Sequence, residues 1–518
     1  MAPRPSPSVD PSRPGVSPVF VFGMLCLPWA WMMSELAYIC DDAFISFRYA
    51  ENWATGNGLL YNINEPPVEG FSNPLWVALA AAVVRLGGDP PLVMTTLSVF
   101  CAPILIWRVF QRSLSLGLSL RDSTAGTALI AASPAFALWS TSGLEMMPSA
   151  LMLFMAAEGL IWSRDRRGVL GGACCALALS WLRPEGLFWT SALLGLAAIC
   201  GQPRRGLGSA TLLIAVACSI GVLMRYAWFD AWLPNTVVAK VGMSSEAILR
   251  GARYFAEVNL TLITPLLAVC VLPFTRAMLG SHWFSIAALA TAGMAWPVLA
   301  SGDFMPMGRL FVAALPFLSL VLAGFCAARG LKTVVFVAGV LMIGMLPVRD
   351  IHVVPESVRS VFNFRLPRPY FSEFEAWQNE KAQVSVLTEL GQALNGVTTP
   401  DDTVVLGAIG AAGYYGNFKI LDRYGLVTPE VAHRSVAPEE LTRPGHDKGV
   451  DIFYFADQRP TVLFAALMVG ENPQDGAADW ITTLQRRGFE SEYRPVIARL
   501  EPAADGNARH LFMFRRID

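Results

Sequence analysis

Apolar and polar residues alternate in long blocks up to about residue 350, with runs of about 20 apolar residues separated by short polar loops. Such a run is long enough for a helix to cross the hydrocarbon core of a bilayer. We predict about eleven transmembrane helices, at residues 19–39, 91–110, 123–141, 147–163, 168–182, 186–200, 208–229, 260–279, 282–300, 309–328 and 331–348. The pattern predicts an α-helical multi-pass membrane protein that contacts the lipid bilayer.

The basic residues of the loops indicate the orientation of these helices, because cytoplasmic loops are enriched in Lys and Arg. With a cytoplasmic N-terminus, the cytoplasmic loops hold Arg108, Arg112, Arg121, Arg164, Arg166, Arg167, Arg204, Arg205, Arg276, Arg329 and Lys332. Nearly every basic cluster then falls on one side of the membrane. This distribution requires that residues 73–86 form a helix along the outer interface and do not cross. Asn73 as N-cap and Pro74 in the first turn favour such a helix. Residues 40–90 then form a first outer loop.

Composition divides the chain into three parts. Residues 1–18 are rich in Pro and Ser and predict a disordered cytoplasmic leader, residues 19–349 hold the apolar runs, and residues 350–518 are polar. In the last part, strand-like and helix-like stretches predict a soluble α/β domain on the outer, periplasmic side. The expected strands are 403–410, 451–457, 461–467 and 508–517, and the expected helices lie near 376–395 and 477–488.

Three glycines follow the first of these strands, at Gly407, Gly410 and Gly413. Their G-x-x-G-x-x-G spacing differs from the G-x-G-x-x-G of dinucleotide-binding turns. We interpret them as ordinary turn glycines.

The composition agrees with membrane insertion and excludes several classes of site. Charged residues make up 15% of the chain, the hydrophobic share is 54% and the mean hydropathy is +0.46, whereas soluble proteins carry about 25% charged residues. A net charge of −1 excludes a basic surface for nucleic acid. The nine cysteines include no C-x-x-C pair, so neither a zinc site nor a disulfide framework is expected. No cofactor is required, and a divalent ion bridging an acidic pair is an open alternative.

Asp41 and Asp42 follow the first apolar run directly. A carboxylate at mid-membrane costs roughly 2.5–3.5 kcal/mol, so the pair is expected where the helix emerges. Other ionisable residues collect at the predicted outer ends, namely Arg48, Glu69, Glu145, Arg183, Glu185, Arg225, Lys240, Asp303 and Arg309. Simpler interpretations stay open, because the aspartates suit a helix N-terminus and Ser142 with Glu145 suits a capping box.

These residue types together suit one reaction. An outward carboxylate can take the proton of an acceptor hydroxyl. Converging Arg and Lys side chains can hold a phosphate, which needs charge-assisted donors where it is partly desolvated. A phosphate leaves without a general acid, and the membrane can supply its lipid carrier. Asp41 and Arg48 are seven residues apart, so a short helix would place both on one face.

The first outer loop contains recognisable sequence motifs. DDAFISFRYAENWATGNGLLYN and PPVEGFSNPLW resemble the first outer loop of the GT-C glycosyltransferases, and they are most similar to the terminal β-(1→2) arabinofuranosyltransferases of mycobacterial arabinan assembly. LPNTVVAK (233–240), SGDFMPMGR (301–309), and LDRYGL with PGHDKG within 421–449 extend this resemblance in patches over most of the chain.

The resemblance implies a bacterial inner-membrane enzyme with an outer active site. It implies decaprenyl-phosphate arabinofuranose, a polyprenyl-phosphate-linked sugar, as donor and a periplasmic glycan or glycoconjugate as acceptor. Asp41 is then the catalytic carboxylate and Asp42 supports it. The expected donor-phosphate or lipid contacts are Arg48, Arg183, Lys240 and Arg309. The expected sugar or acceptor contacts are Glu69, Asn73, Glu145 and Asp303.

Two other functions stay open. A lipid-linked sugar transporter or flippase would predict two related halves with broken helices, but the sequence shows no internal repeat. A membrane-anchored glycan-binding protein would not need about eleven spans with charges aligned on one side. Release of polyprenyl phosphate distinguishes the enzyme from both.

Overall fold

The computed structural model describes residues 16–240, 244–366, 368–437, 440–441, 443–470, 473–501 and 507–517. Apart from residues 16–18, the predicted leader lies outside the described residues.

Helices make up the chain as far as Arg349. They are α1 (Pro18–Leu36), α2 (Asp41–Ala54), α3 (Pro74–Arg85), α4 (Pro90–Ser115), α5 (Leu120–Ala131), α6 (Pro134–Trp139), α7 (Met146–Ala157), α8 (Arg166–Leu182), α9 (Gly186–Ile199), α10 (Arg204–Phe229), α11 (Asn235–Val238), α12 (Ser245–Leu262), α13 (Thr264–Cys270), α14 (Arg276–Leu279), α15 (Trp283–Leu299), α16 (Leu315–Arg329) and α17 (Leu331–Met345). Between α7 and α8 runs a π-helical turn, Glu158–Trp162.

Four helices in the described part of the chain are long and apolar enough to cross a membrane. They are α1, α4, α10 and Leu331–Arg349, and a fifth forms if Thr264–Cys270 and Leu272–Leu299, bent by 58°, make one broken span. Shorter apolar helices are Pro74–Arg85, Met146–Trp162, Gly186–Ile199 and Leu315–Arg329. Most apolar side chains of α10 are exposed, as expected of a helix that faces lipid.

Two predicted spans are broken by local signals. The span predicted at 123–141 ends at Ala131, because Ser133 caps a new helix that Pro134 begins. The span predicted at 260–279 breaks at Ile263, whose φ of 57° interrupts the helix before Pro265. The span predicted at 309–328 corresponds to α16, a largely buried helix that packs on α5 where Gly126 lies against the Ala323 backbone.

The segment after Asn73 does form a helix, α3, with Pro74 in its first turn. It packs against α2 and α8, and the Trp76 indole donates to the Gly143 carbonyl at 3.0 Å. That α3 lies along the interface stays a prediction.

A smaller α/β domain follows α18 (Glu356–Arg359). This C-terminal domain runs from α19 (Glu373–Asn395) through β1 (Thr403–Leu406), α20 (Gly410–Tyr415), β2 (Lys419–Asp422), α21 (Pro429–Ala432), β3 (Val462–Val469), α22 (Pro473–Arg486) and β4 (Tyr493–Arg499) to β5 (Arg509–Arg516). Its sheet has the order β2-β1-β3-β5-β4. β1 is parallel to β2, with Thr403 opposite Lys419, and to β3, whereas β5 is antiparallel to β3 and β4.

The strand prediction for 451–457 is wrong. Ile452–Gln458 is a 3₁₀ helix, capped by the Asp451 carboxylate on the amide of Phe453. The first strand also ends earlier than predicted, at Leu406, so that Gly410 begins a helix.

Candidate active site

Asp41 begins α2 and is bound by the C-terminal domain. Its Oδ1 accepts from the amide of Ala411 at 2.7 Å and its Oδ2 from the amide of Gly410 at 3.0 Å. These amides open α20, where a carboxylate is favoured by the helix dipole. Burial outweighs the two hydrogen bonds and raises the pKa of Asp41 to about 7. Asp41, predicted as the catalytic carboxylate, therefore has both oxygens engaged in a domain contact.

Arg48 lies on the same side of α2 and binds the other end of α20. Its Nη1 donates to the Gly413 carbonyl and its Nη2 to the Phe418 carbonyl, both at 2.6 Å. Its Nε donates to the Tyr61 carbonyl at 2.9 Å, and the guanidinium stacks on the Tyr61 ring at 4.3 Å. All three nitrogens of Arg48, predicted to contact the donor phosphate, are thus occupied by backbone carbonyls.

Asp42 is placed differently from its neighbour, because successive helical residues point about 100° apart. Its side chain is partly exposed and has no hydrogen-bond partner in the described part of the chain. Burial raises its pKa, and the nearby charges of Arg309, Lys240 and Arg443 counteract this. The carboxylate of Asp42 is free to receive a ligand.

A charged cluster surrounds Asp42. We define it by residues that act on one another electrostatically, which are Asp42, Arg183, Glu185, Lys240, Asp303, Arg309, Glu380 and Arg443. Arg309 binds Asp303 through two bonds of 2.7 and 3.0 Å and lies over the Trp139 ring at 5.3 Å. Arginine in this forked geometry is a strong partner for carboxylate or phosphate.

Arg183 and Lys240 differ in how they are paired. Arg183 binds Glu145 at 2.8 Å and also Glu185. Lys240 is exposed and has no ion-pair partner within 4 Å in the described residues. Lys240 is therefore the cation of the cluster that is available to an anionic ligand.

A second buried carboxylate shapes the loop that carries Asp303 and Arg309. Glu373 accepts from the Met307 amide and is bound by Arg365 at 2.7 Å. Met307 and Gly308 both have positive φ, of 56° and 67°. The kink turns the chain immediately before Arg309, and no spacing in the sequence indicated Glu373 as its anchor.

Asn73 and Glu145, predicted as sugar or acceptor contacts, connect α2 to Arg183. The Asn73 amide donates to Glu145 at 2.7 Å and accepts from Ser46 at 3.1 Å. The second Glu145 oxygen binds Arg183. Ser142 bonds the Trp139 carbonyl and the Leu144 amide, so the capping box with Glu145 does not form.

Glu69, also predicted as a sugar or acceptor contact, binds Arg225 of α10. The two bonds are 2.5 and 3.1 Å long, and the Glu69 side chain is buried. The structure thus joins the segment 40–90 to α10 at this point.

The C-terminal domain contributes Glu380 and Arg443, which the sequence did not indicate. They are 3.3 Å apart, and Arg443 stacks on the Phe304 ring at 4.5 Å. Next to Arg443, Asp447 binds Arg250 at 2.7 Å and Lys448 donates to the Val238 carbonyl at 2.8 Å. The loop at 443–449 thereby contacts the segments that carry Lys240 and Arg309.

No group of three His, Cys, Asp or Glu side chains that could hold a metal ion is found among the described residues. A bridging ion stays an untested alternative.

Two solved structures resemble this chain over nearly its whole length. Both are ArnT from Cupriavidus metallidurans, one in the apo state and one bound to undecaprenyl phosphate. They are 12% identical, cover 96% of this chain and 97% of ArnT, and give TM-scores of 0.56 and 0.51. The family described as "Domain of unknown function (DUF8728)" matches residues 373–511. No curated protein gives a significant match.

The likeness to ArnT confirms the predicted fold, a mainly α-helical chain with several apolar spans and a C-terminal α/β domain. The prediction of about eleven spans is not confirmed, because four or five spans in the described residues are long and apolar enough to cross a membrane. The narrower resemblance to the arabinofuranosyltransferases rests on the sequence motifs alone.

Proposed function

We propose that this protein is a membrane glycosyltransferase that moves a sugar from a polyprenyl-phosphate donor to a glycan or glycoconjugate. One observation carries this proposal. Within a charged cluster whose other described members are mostly paired, a carboxylate (Asp42) and an ammonium group (Lys240) are both free. A base and a phosphate-binding cation are what such a transfer needs.

The donor site is proposed around Lys240, Arg309 and Arg183. A small apolar cavity with room for about one water molecule borders Arg183 and Glu185, and it is lined by Ala150, Leu153, Leu179, Trp189, Trp296 and Leu310. The ArnT structure of the same fold that is bound to undecaprenyl phosphate supports this choice of donor.

Asp42 is proposed as the base. The acceptor hydroxyl oxygen bonds to the anomeric carbon, the bond from that carbon to the phosphate oxygen breaks, and the hydroxyl proton passes to Asp42. The bond electrons leave with polyprenyl phosphate, whose negative charge Lys240 and Arg309 stabilise. The geometry favours Asp42 over Asp41 because only Asp42 has unoccupied oxygens in the described structure.

The sequence motifs are the basis for proposing the sugar, the membrane and the side on which the reaction takes place. We propose arabinofuranose as the transferred sugar, the bacterial inner membrane as the location, and the periplasmic side as the face that carries the cluster and the C-terminal domain. The test is transfer by the full chain in lipid nanodiscs, with polyprenyl-phosphate arabinofuranose and a hexose equivalent as donors. Release of polyprenyl phosphate with sugar on an acceptor supports the enzyme. Movement of the intact donor across vesicles without release would support a flippase.

Replacing Lys240 by Gln is expected to raise the donor KM about 10- to 100-fold, because a hydrogen bond to a charged group is worth about 1.5–3 kcal/mol. Initial rates at varied donor concentration measure this effect. Lys381→Gln is the matched control, since Lys381 is exposed on α19 and lies over Trp377. An unchanged donor KM in Lys240→Gln would remove Lys240 from the phosphate site.

Transfer is expected to be lost as the pH falls through the raised pKa of Asp42, because the base acts in its ionised form. Burial puts this pKa above its ordinary value of 3.8, so the acidic limb lies higher than for an exposed Asp. Activity is fully present above that limb. A kcat/KM profile from about pH 4 to pH 9 reports it for the free enzyme. A flat profile over this range would contradict the role of Asp42.

A further inference from the structure

A cleft of about 360 Å³ opens between the first outer loop and the C-terminal domain. Residues within 61–68 form one wall, and residues within 420–430 together with Gln458 form the other. Among the described residues, no member of the charged cluster around Asp42 lines it, so the donor site and the base leave it unexplained. Small-molecule sites commonly measure about 300–1,000 Å³, and the cleft is therefore large enough for a sugar ring.

Asn62 fixes the two walls of the cleft against each other. Its Nδ2 donates to the Ile420 carbonyl and its Oδ1 accepts from the Ile420 amide, both at 3.0 Å. Ile420 lies on β2, an edge strand, whose free backbone groups would otherwise offer a place for another strand. Further along this strand, the Asp422 amide donates to Thr428 Oγ1 at 2.8 Å. Because these backbone groups are occupied, a ligand in the cleft would contact side chains.

Glu430 and Gln458 form the polar part of the cleft. Gln458 Nε2 donates to Glu430 Oε1 at 2.6 Å, which holds the two side chains together. Each keeps one oxygen, Glu430 Oε2 and Gln458 Oε1, without a hydrogen-bond partner in the described part of the chain. Two acceptors on paired side chains suit the hydroxyl groups of a sugar. Pro66 and Val68 of the outer loop supply apolar surface for the C–H face of its ring.

The charges around the cleft favour an uncharged ligand. None of the described lining residues is a Lys, Arg or His. The basic side chains nearby have other partners, which are Glu65 for Lys419 at 3.9 Å, backbone carbonyls for Arg48, and the Pro429 carbonyl for His433 at 2.8 Å. A phosphate in the cleft would therefore meet the Glu430 carboxylate without a free cation to bind it.

The cleft adjoins the junction between the two parts of the chain. Tyr61, in the outer-loop wall, donates its hydroxyl to the Ile409 carbonyl at 2.6 Å. Ile409 directly precedes Gly410, whose amide binds Asp41. Asp42 does not line the cleft. A sugar held here is thus a different unit from the one whose hydroxyl reacts at Asp42.

We propose that the cleft is a distal subsite that binds a neutral sugar unit of the acceptor glycan, separate from the unit that receives the new sugar. The inference deepens the proposed function and rests on it. Glu430 and Gln458 accept hydrogen bonds from the hydroxyl groups of this unit, and the outer loop packs on its apolar face. The subsite makes the C-terminal domain select long acceptors over short ones.

The probes are neutral di- and hexasaccharides, one pair of arabinofuranose and one of glucose, with the full chain in lipid nanodiscs. Calorimetry without donor measures the Kd, and transfer kinetics with donor measure the acceptor KM. Wild-type protein is expected to bind one hexasaccharide at least about tenfold more tightly than its disaccharide. Glu430→Ala is expected to weaken hexasaccharide binding at least about tenfold, and Gln458→Ala about three- to tenfold. The disaccharide KM and the donor KM should change less than about twofold.

Glu356→Ala is the matched control, because Glu356 is also an exposed glutamate that follows a proline in the first turn of a four-residue helix. It is expected to leave hexasaccharide binding unchanged. Equal hexasaccharide Kd values in wild type, Glu430→Ala and Gln458→Ala would overturn the subsite, as would wild-type protein that binds neither hexasaccharide. Tighter binding of a glucosamine hexasaccharide that Glu430→Ala abolishes would replace it by a site for a cationic ligand.

Binding without donor separates this subsite from the proposed function. Hexasaccharide binding that depends on Glu430, with no transfer from any donor, would retain the sugar site and reject the glycosyltransferase. Transfer to disaccharide and hexasaccharide with equal KM values, unaffected by Glu430→Ala, would retain the glycosyltransferase and reject the subsite.

Discussion

Asp42→Asn is expected to abolish sugar transfer in a protein that remains folded. A positioned general base contributes about 10²- to 10⁴-fold to the rate, so kcat should fall by that factor. The fold should survive because the Asp42 carboxylate has no hydrogen-bond partner in the described structure, and an amide of the same shape leaves no group there unpaired. Single-turnover transfer, with the melting temperature of each variant, measures both properties.

Asp41→Asn is the informative comparison, because it makes the same chemical change one residue away. Its amide group would face one of the two α20 amides that the carboxylate now accepts from. We expect a less firmly held C-terminal domain and a partial loss of rate, while the acidic limb of the pH profile persists. If Asp41→Asn were folded and inactive while Asp42→Asn retained full turnover, the base would be Asp41, as the sequence motif implied.

The choice between these two aspartates shows where sequence reasoning ends. The cost of charge in a bilayer was enough to place the pair outside the apolar run, and α2 begins at Asp41 as its acidic first turn suggests. Which of the two faces a ligand depends on what covers α2. The helix that packs on α2 is α20, about 370 residues away in the sequence. No local pattern at residues 41–42 could predict this contact.

Long-range contacts explain the other differences as well. The periodicity correctly predicted that Asp41 and Arg48 share a face, but the same face packs on a helix whose amides and carbonyls match the two charges. Arg443 was overlooked because a single arginine in a loop carries no spacing signal. Hydropathy predicted apolar runs, whereas the breaks at Ser133 and Ile263 depend on capping and backbone conformation within those runs.

Arg48→Ala is expected to give the largest loss of stability at the domain junction. Two backbone carbonyls, of Gly413 and Phe418, would lose their donor, whereas the Tyr61 carbonyl keeps the Asn52 amide at 3.2 Å. A buried acceptor left unsatisfied costs about 1–3 kcal/mol, so the loss is expected to be at least about 2 kcal/mol. Hydrogen exchange at residues 410–420 and limited proteolysis of the full chain measure the opening of the junction.

The same junction couples stability to chemistry, because the domain that α20 holds also supplies Glu380 and Arg443 to the cluster. Arg48→Ala should therefore lower transfer, although Arg48 contacts neither proposed substrate. Arg48→Lys replaces the forked guanidinium by a single ammonium group. Its stability and its transfer rate should therefore lie between those of Arg48→Ala and those of wild type. Arg494→Ala, an exposed arginine on β4, serves as the control. If exchange at residues 410–420 were as slow in Arg48→Ala as in wild type, α20 would be held by the remaining contacts, and Arg48 would have no positioning role.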